Sequence, residues 1–278
     1  VKTVQYQPQS QELEPPLEVV NDFSIQVATV NGSGSQSSNN VLMRSIFRMG
    51  IPVSGKNLFP SNIAGLPTWF TIRANKRGYV ARKKEIDILI AMNMETARED
   101  VEMLDPGRVV IYEEKLNLAK LRDDLIFYPV PFSELAAQVV DDNRLRKLIA
   151  NMIYVGTAAD LLSIEMPEVE AAIAHWFKTK KKAIDLNIKA AHLGAEYARE
   201  NLSKRDPFRL ERMEANKNKV MIDGNSAAAL GCVFGGVSVV SWSPITPYSS
   251  LGETLTDCLQ RVPLDKETRK ANFALVLA

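Results

Sequence analysis

Residues 23–49 restrict the fold more than any other stretch. Phe23-Ser24-Ile25-Gln26-Val27-Ala28-Thr29-Val30 sets apolar residues at alternate positions, the period of a strand. It runs straight into Asn31-Gly32-Ser33-Gly34-Ser35-Gln36-Ser37-Ser38, after which Leu42, Ser45, Ile46 and Met49 recur at helical spacing. Strand, glycine loop and helix in that order open a doubly wound α/β domain. Runs at 51–54, 69–73, 86–92, 108–112 and 125–130 are further strand candidates. Glu85–Ala91 and Arg108–Tyr112 contain the continuous apolar stretches of strands covered on both faces.

The glycine loop admits two readings. A dinucleotide fingerprint needs a third glycine and an acidic residue about 20 positions beyond the loop. Ser37 occupies the glycine position, and Ser54-Gly55-Lys56-Asn57 offers a lysine and no acid, so NAD is disfavoured. A phosphate-bearing ligand remains open, because successive loop N–H groups and the following helix N-terminus suit an anion. In this reading Ser33, Ser35, Ser37 and Ser38 are extra donors, and Lys56, Arg73, Lys76 and Arg77 add charge from neighbouring loops. The other reading is a turn whose glycines only let strand and helix pack.

The period changes after about residue 141. Leu145, Leu148, Ile149, Met152 and Ile153 form one helical stripe, and Val169, Ala172, Ile173, Trp176 and Phe177 another, starting at Pro167. Lys178–Lys182 reads most simply as a solvated helical segment, with phosphate binding as the lesser alternative, within a long helical stretch that holds both histidines, His175 and His192, with no metal-ligand pattern around them. The chain divides into an extended leader (1–20), a first α/β domain (21–200), a charged linker (201–219) and a second α/β unit (220–278). In that unit the helix 225–236 is rich in alanine and glycine, and Phe273–Ala278 reads as a strand buried on both faces, so the unit is expected to be completed by further elements. A formal charge of +1 gives no case for nucleic acid or an anionic membrane, and no apolar run is long enough to span a bilayer. Cys232 and Cys258 read as two buried thiols of a reducing cytoplasm, and two thiols cannot ligate an iron–sulfur cluster by themselves.

Inside the second unit, Val237–Trp242 reads as a strand that breaks into Ser243-Pro244-Ile245-Thr246-Pro247-Tyr248-Ser249-Ser250, with Leu251, Leu255, Cys258 and Leu259 at helical spacing behind it. Thr246 before a proline suits an N-cap. The turn then aims backbone donors and a hydroxyl at one spot, as for a carboxylate or phosphate; an ordinary capped turn has the same spacing.

Three stretches in this order resemble the 2-oxoacid:ferredoxin oxidoreductases, in particular the fused gamma–alpha subunit of the 2-oxoglutarate type: Gly32–Ser37 with Pro60–Trp69, Asp223–Gly231, and Trp242–Pro247. The resemblance covers the chain from about residue 20. It implies a gamma-type doubly wound domain with a helical tail, followed by the first part of a thiamine-type pyrimidine domain. It also implies oxidation of a 2-oxoacid with coenzyme A to an acyl-CoA, carbon dioxide and reduced ferredoxin, or the reverse carboxylation. Thr246 is implied as the catalytic and substrate-carboxylate residue, with Ser243 and Ser249 beside it and Pro244 and Ile245 against thiamine diphosphate. Gly32, Gly34, Ser35, Gln36 and Lys56 are implied on the coenzyme A side. Magnesium and the [4Fe-4S] cluster are implied for a beta subunit, and the assembly for a cytoplasmic dimer of heterodimers that delivers electrons to ferredoxin. Ser243 stands where the family usually has Tyr, Tyr248 where it has a small residue, and Ser35 and Ser37 where it has glycines. The family's pyrimidine-activating Glu follows the strand that ends at Ala278, so these residues alone are not expected to form a complete catalyst. The rival readings are a non-catalytic assembly protein of the same fold and a nucleotide- or flavin-binding module.

Overall fold

Six strands of the first unit form one sheet in a computed structural model that describes residues 18–59, 63–243, 245, 248–261 and 273–277. The chain separates into two units, divided between Asn218 and Lys219. A short β1 (Val19–Val20) leads into β2 (Asp22–Val30), then α1 (Ser35–Arg48), β3 (Val53–Leu58), β4 (Pro67–Asn75), β5 (Ile88–Ala91), α2 (Ala97–Glu102), β6 (Val109–Glu113) and β7 (Ile126–Val130). The sheet order is β3-β4-β2-β5-β6-β7. β2, β5, β6 and β7 run parallel, whereas β4 is antiparallel to β2 and β3 antiparallel to β4. All the strand candidates form, but the sheet is mixed: β3 and β4 make a hairpin on the edge beyond β2.

Strand alternation sorts the core into two layers. Ile25, Val27, Ile88, Ile90, Val109 and Ile111 face the larger layer, and Leu89, Ala91, Val110 and Phe127 the smaller one. The larger face is covered by α1 and by α3 (Phe132–Val139), α4 (Asn143–Leu161), α5 (Met166–Phe177) and α6 (Lys181–Asn201). The smaller face has α2 and short turns over it. α4 and α6 pack backbone to backbone. A Cβ on Gly156 would lie 1.8 Å from the Ala191 carbonyl oxygen, and one on Gly194 2.1 Å from that of Ile153.

Several expectations need correction. Residues 178–180 are a break between α5 and α6, with Lys178 at φ 53° and Lys181 and Lys182 opening α6, so the two histidines lie on separate helices. His192 is bonded to Glu170 across them (2.7 Å). Residues 201–218 are a strap on the first unit rather than a linker. Phe208 and Leu210 are buried in its core, and β8 (Phe208–Arg209) pairs with Val19–Val20, which are therefore strand and not leader. Asn21 and Glu211 exchange two hydrogen bonds (2.8 and 2.9 Å), and the Asn216 amide reaches the Phe47 and Ile51 carbonyls. At the start of α4, Leu145 and Leu148 are exposed, so the buried stripe begins only at Ile149.

The second unit contains α7 (Gly224–Phe234), β9 (Val239–Trp242), α8 (Ser249–Leu259) and β10 (Ala274–Leu277), with β9 and β10 parallel. Its core is small: Ala229, Val240, Leu255 and Leu259. A Cβ at Gly252 would collide with the Trp242 ring at 2.4 Å, which is why α8 can lie so close to β9. Val276 is half exposed rather than covered on both faces, and Phe234 is 88% exposed. Cys232 is exposed and Cys258 partly so, which corrects the expectation of two buried thiols.

Candidate functional site

The glycine loop follows the carboxyl end of β2, where the chain order reverses. From β2 the chain leaves over one face through α1 to the hairpin, while β5 continues the sheet in the other direction and is followed by α2 on the opposite face. In open α/β sheets, ligands bind in the crevice at such a switch point. Gly32 (φ 84°) and Gly34 (φ 80°) take the left-handed backbone that lets the strand turn sharply into α1. No side chain caps α1; Ser37 N–H turns back onto the Gly34 carbonyl (3.2 Å), and the amides of Ser35 and Gln36 have no hydrogen bond among the described residues. The turn is pinned by Asn31 N–H to the Leu66 carbonyl (2.8 Å), by Gly65 N–H to the Asn31 carbonyl (2.9 Å) and by the Asn151 amide to the Ser33 carbonyl (2.8 Å).

Only part of the expected donor set points outward. Ser35 is buried and its hydroxyl shares a 2.8 Å hydrogen bond with Thr29. Ser38 is buried against Tyr154, whose phenol is pushed well up by burial and donates to Asn39 at 2.8 Å. Gln36 is exposed on the first turn of α1, and Ser37 is half-buried. Ser33 Oγ is buried and has no partner among the described residues. Gly34 also carries a packing role: an added Cβ would lie 2.2 Å from Leu148 Cδ2.

The expected cations are elsewhere. Lys56 sits on β3, on the rung of Thr71 and Gln26, two strands from β2 and well below Val30. Arg73 is buried in an ion pair with Asp22, and Lys76 and Arg77 follow β4 at the opposite end of the sheet. The hairpin causes this: β4 starts beside Val30 and ends beside Asp22, carrying its later residues away from the loop. Asn151, Leu148 and Tyr154 are the loop residues that sequence reasoning missed.

In the second unit, α7 and α8 both begin at the carboxyl end of β9. Asn225 Nδ2 donates to Ser250 Oγ at 2.7 Å and ties the two N-termini together. Asp223 caps α7, accepting from Ser226 N–H (2.9 Å) and Ser226 Oγ (2.6 Å). Burial alone would raise the Asp223 pKa, but these hydrogen bonds hold it below the usual carboxylate range. Ser243 and Ser249 are half-buried on either side of the turn, and Ile245 is exposed. The N-cap position of α8 is Tyr248, not Thr246, because the helix starts only at Ser249. Pro244, Thr246 and Pro247 lie outside the described residues, as do Pro60–Asn62 of the first unit.

No helix among the described residues is long and apolar enough to cross a membrane, and no group of three potential metal ligands occurs among them. Residues 24–197 match the model of the pyruvate ferredoxin/flavodoxin oxidoreductase family. A 2-oxoacid:ferredoxin oxidoreductase subunit alpha from Saccharolobus solfataricus is 22% identical over 92% of this chain, and one from Aeropyrum pernix is 22% identical over 82%. The chain spans 46% and 42% of those proteins, less than half of each. Among solved structures, a 2-oxoglutarate:ferredoxin oxidoreductase from Magnetococcus marinus, with 2-oxoglutarate, coenzyme A and succinyl-CoA bound, matches 93% of this chain and 43% of that one. Its TM-score is 0.79 at 24% identity, a likeness of fold. A pyruvate oxidoreductase subunit from Thermotoga maritima matches 63% of this chain and 96% of its own length, with a TM-score of 0.52.

Proposed function

The chain belongs to the pyruvate ferredoxin/flavodoxin oxidoreductase family, and from that premise we propose that it forms the gamma–alpha part of an enzyme oxidising 2-oxoglutarate with coenzyme A and ferredoxin. The observation that carries this reading is the uncapped N-terminus of α1 at the switch point, with two left-handed glycines before it and, beside them, the Ser33 hydroxyl that has no partner among the described residues. That arrangement suits a phosphate of coenzyme A, which the first unit would hold through backbone N–H groups. The choice of 2-oxoglutarate rests on the Magnetococcus marinus likeness.

In the second unit, Thr246 is proposed to hold the oxoacid carboxylate, with Ser243 and Ser249 beside it and the α7 and α8 N-termini lending favourable dipoles. Pro244 and Ile245 would lie against thiamine diphosphate, which when bound supplies the carbanion chemistry. The two cysteines do not fit a [4Fe-4S] cluster, so a cluster, like magnesium, is assigned to a beta subunit. A dimer of such heterodimers in the cytoplasm completes the proposal.

A paired substitution in the complete complex tests it. Ser33→Ala removes a hydroxyl with no partner among the described residues, so the fold should be untouched. Losing a hydrogen bond to a charged ligand group typically costs about 1.5–3 kcal/mol, so KM for coenzyme A should rise about tenfold or more while oxoacid KM holds. Thr246→Val should do the reverse, lowering kcat/KM for the oxoacid and sparing coenzyme A. Wild-type coenzyme A kinetics in folded Ser33→Ala would return the loop to a packing role.

A further inference from the structure

A second polar surface lies away from the glycine loop, on the thinly covered face of the sheet. β2 is an interior strand, and interior strands of such sheets are ordinarily apolar on both faces. Its face toward the smaller core layer instead carries Ser24 and Gln26, with Arg73 and Thr71 opposite them on β4. Ser24 and Thr71 are 0% and 2% exposed, yet Ser24 Oγ and Thr71 Oγ1 have no partner among the described residues. Buried hydroxyls are normally hydrogen-bonded, so this part of the sheet is more polar than its own packing requires, and Gln26 is the residue of it that reaches a cavity. Above Gln26 opens a cavity of about 370 Å³, walled by Ile86, Leu89 and Leu104 with Lys84 and the carboxylates of Glu85, Asp100 and Asp105 also on its lining, a size suited to a small ligand. The Gln26 carboxamide forms no hydrogen bond among the described residues.

The rim is basic. Residues 76–85 are all exposed and include Lys76, Arg77, Arg82, Lys83 and Lys84. Lys83 lies 4.0 Å from Asp22; the other four have no carboxylate within ion-pair distance among the described residues. The segment is nevertheless held in place, by Lys76 N–H to the Asn21 carbonyl (2.7 Å), by Arg77 and Tyr79 N–H to Asn75 Oδ1 (both 3.0 Å) and by Ser54 Oγ to the Val80 carbonyl (2.7 Å). The carboxylates nearby are mostly committed. Asp100 accepts from Trp69 Nε1 (2.8 Å) and Thr96 Oγ1 (2.9 Å), and Asp105 lies 3.7 Å from Arg108. Glu85 is exposed beside Lys84.

We propose that this cavity binds an adenosine phosphate, with the base against Gln26 between Ile86, Leu89 and Leu104 and the phosphate on Arg82, Lys83 and Lys84. A carboxamide donates and accepts at once, which matches the amino group and N7 of adenine, whereas guanine presents two acceptors there. The apolar walls suit the faces of the base, and an anchored loop whose Arg82 and Lys84 have no ion-pair partner among the described residues suits a phosphate. The site is independent of the coenzyme A reading of the glycine loop. The ligand chemistry is shared by a free adenine nucleotide and by the adenosine end of coenzyme A.

Equilibrium dialysis of the full chain in its complex, with labelled AMP and GMP as probes, tests the assignment. AMP is expected to bind saturably and at least tenfold more tightly than GMP. Gln26→Leu should weaken AMP about tenfold, the range of one paired base edge, and a Lys83→Ala, Lys84→Ala double variant should weaken both nucleotides. The double variant keeps the test alive if Gln26→Leu fails to fold. Displacement of AMP by coenzyme A would assign the site to the cosubstrate's adenosine end, and persistence of AMP to a free nucleotide. Ser33→Ala should leave AMP binding unchanged, which separates this site from the glycine loop. Absence of saturable AMP binding, equal affinity for GMP, or wild-type AMP affinity in both folded variants would overturn it.

Discussion

Tyr128 anchors the strap to the end of the sheet. Its hydroxyl donates to Asp206 Oδ2 (2.7 Å) and accepts from Arg205 N–H (2.7 Å), while Lys204 Nζ closes on Asp206 Oδ1 (2.9 Å). Burial first, and then the neighbouring Asp206 carboxylate, push the phenol up to about 12. The unfolded phenol titrates near 10. A group whose folded pKa is raised gives its full stabilisation below the unfolded pKa and loses it as pH rises through the folded one, here between about 10 and 12. Tyr128→Phe should therefore cost about 1–3 kcal/mol at pH 8, and the gap to wild type should close by pH 12. Urea unfolding of both proteins at pH 8, 10 and 11.5 checks this, and a gap that stays constant with pH would sink the coupling. The same scale explains what the sequence hid at the glycine loop. Gly32 and Gly34 are legible as a spacing after a strand, but Asn151, Leu148 and Tyr154 are more than a hundred positions away and carry no local signal.

Elements were legible where a single period decided them. The strand positions follow from alternation in β2 and from continuous apolar runs in β5 and β6, and α1, α4 and α5 from helical stripes, whereas the short α2 and α3 and the separation of α5 from α6 were not read from the sequence. The antiparallel sense of β3 and β4 does not follow either, because an apolar run has the same pattern in either direction. That ambiguity misplaced Lys56, Arg73, Lys76 and Arg77. The strap at 201–218 was missed for another reason: its buried residues, Phe208 and Leu210, and the partly buried Met213 are scattered among charges, and its structure comes from contacts with β1, α1 and the core. The α4–α6 contact gives a sharp test at this scale. In isolation Gly156→Ala would favour a helix by about 1 kcal/mol. Here the new methyl would lie 1.8 Å from the Ala191 carbonyl oxygen, and neither helix backbone can yield without unpacking. Overpacking of a close contact costs about 1–3 kcal/mol or more, so Gly156→Ala and Gly194→Ala should each lower the melting temperature. A rise in melting temperature for either would show that the helices can separate freely.

At the scale of the whole molecule the two units differ in how much of their apolar surface they bury for themselves. The first covers its sheet with four long helices on one face, and Ile25, Val27, Ile46 and Ile153 reach 0% exposure. The second leaves Val220, Phe234 and Val239 at 80%, 88% and 64%. Singly exposed apolar side chains also occur in the first unit, where Met94 and Met103 are 79% and 76% exposed, so the small core of the second unit, Ala229, Val240, Leu255 and Leu259, is the clearer difference between the two. Under the proposed function, the redox chemistry calls for a second polypeptide. Electrons passing to ferredoxin need a cluster, a [4Fe-4S] cluster normally needs four thiolates, and these 278 residues contain two cysteines. The proposed assembly therefore makes a prediction about the isolated polypeptide. Given 2-oxoglutarate, coenzyme A, thiamine diphosphate and magnesium, it should reduce neither ferredoxin nor a viologen dye, and in its native host it should co-purify with a cysteine-rich subunit. Adding that subunit should restore reduction and should protect the exposed Cys232 helix from proteolysis in step with activity. Turnover by the isolated chain would refute the division of labour, because the electrons would then have left through groups that these residues do not contain.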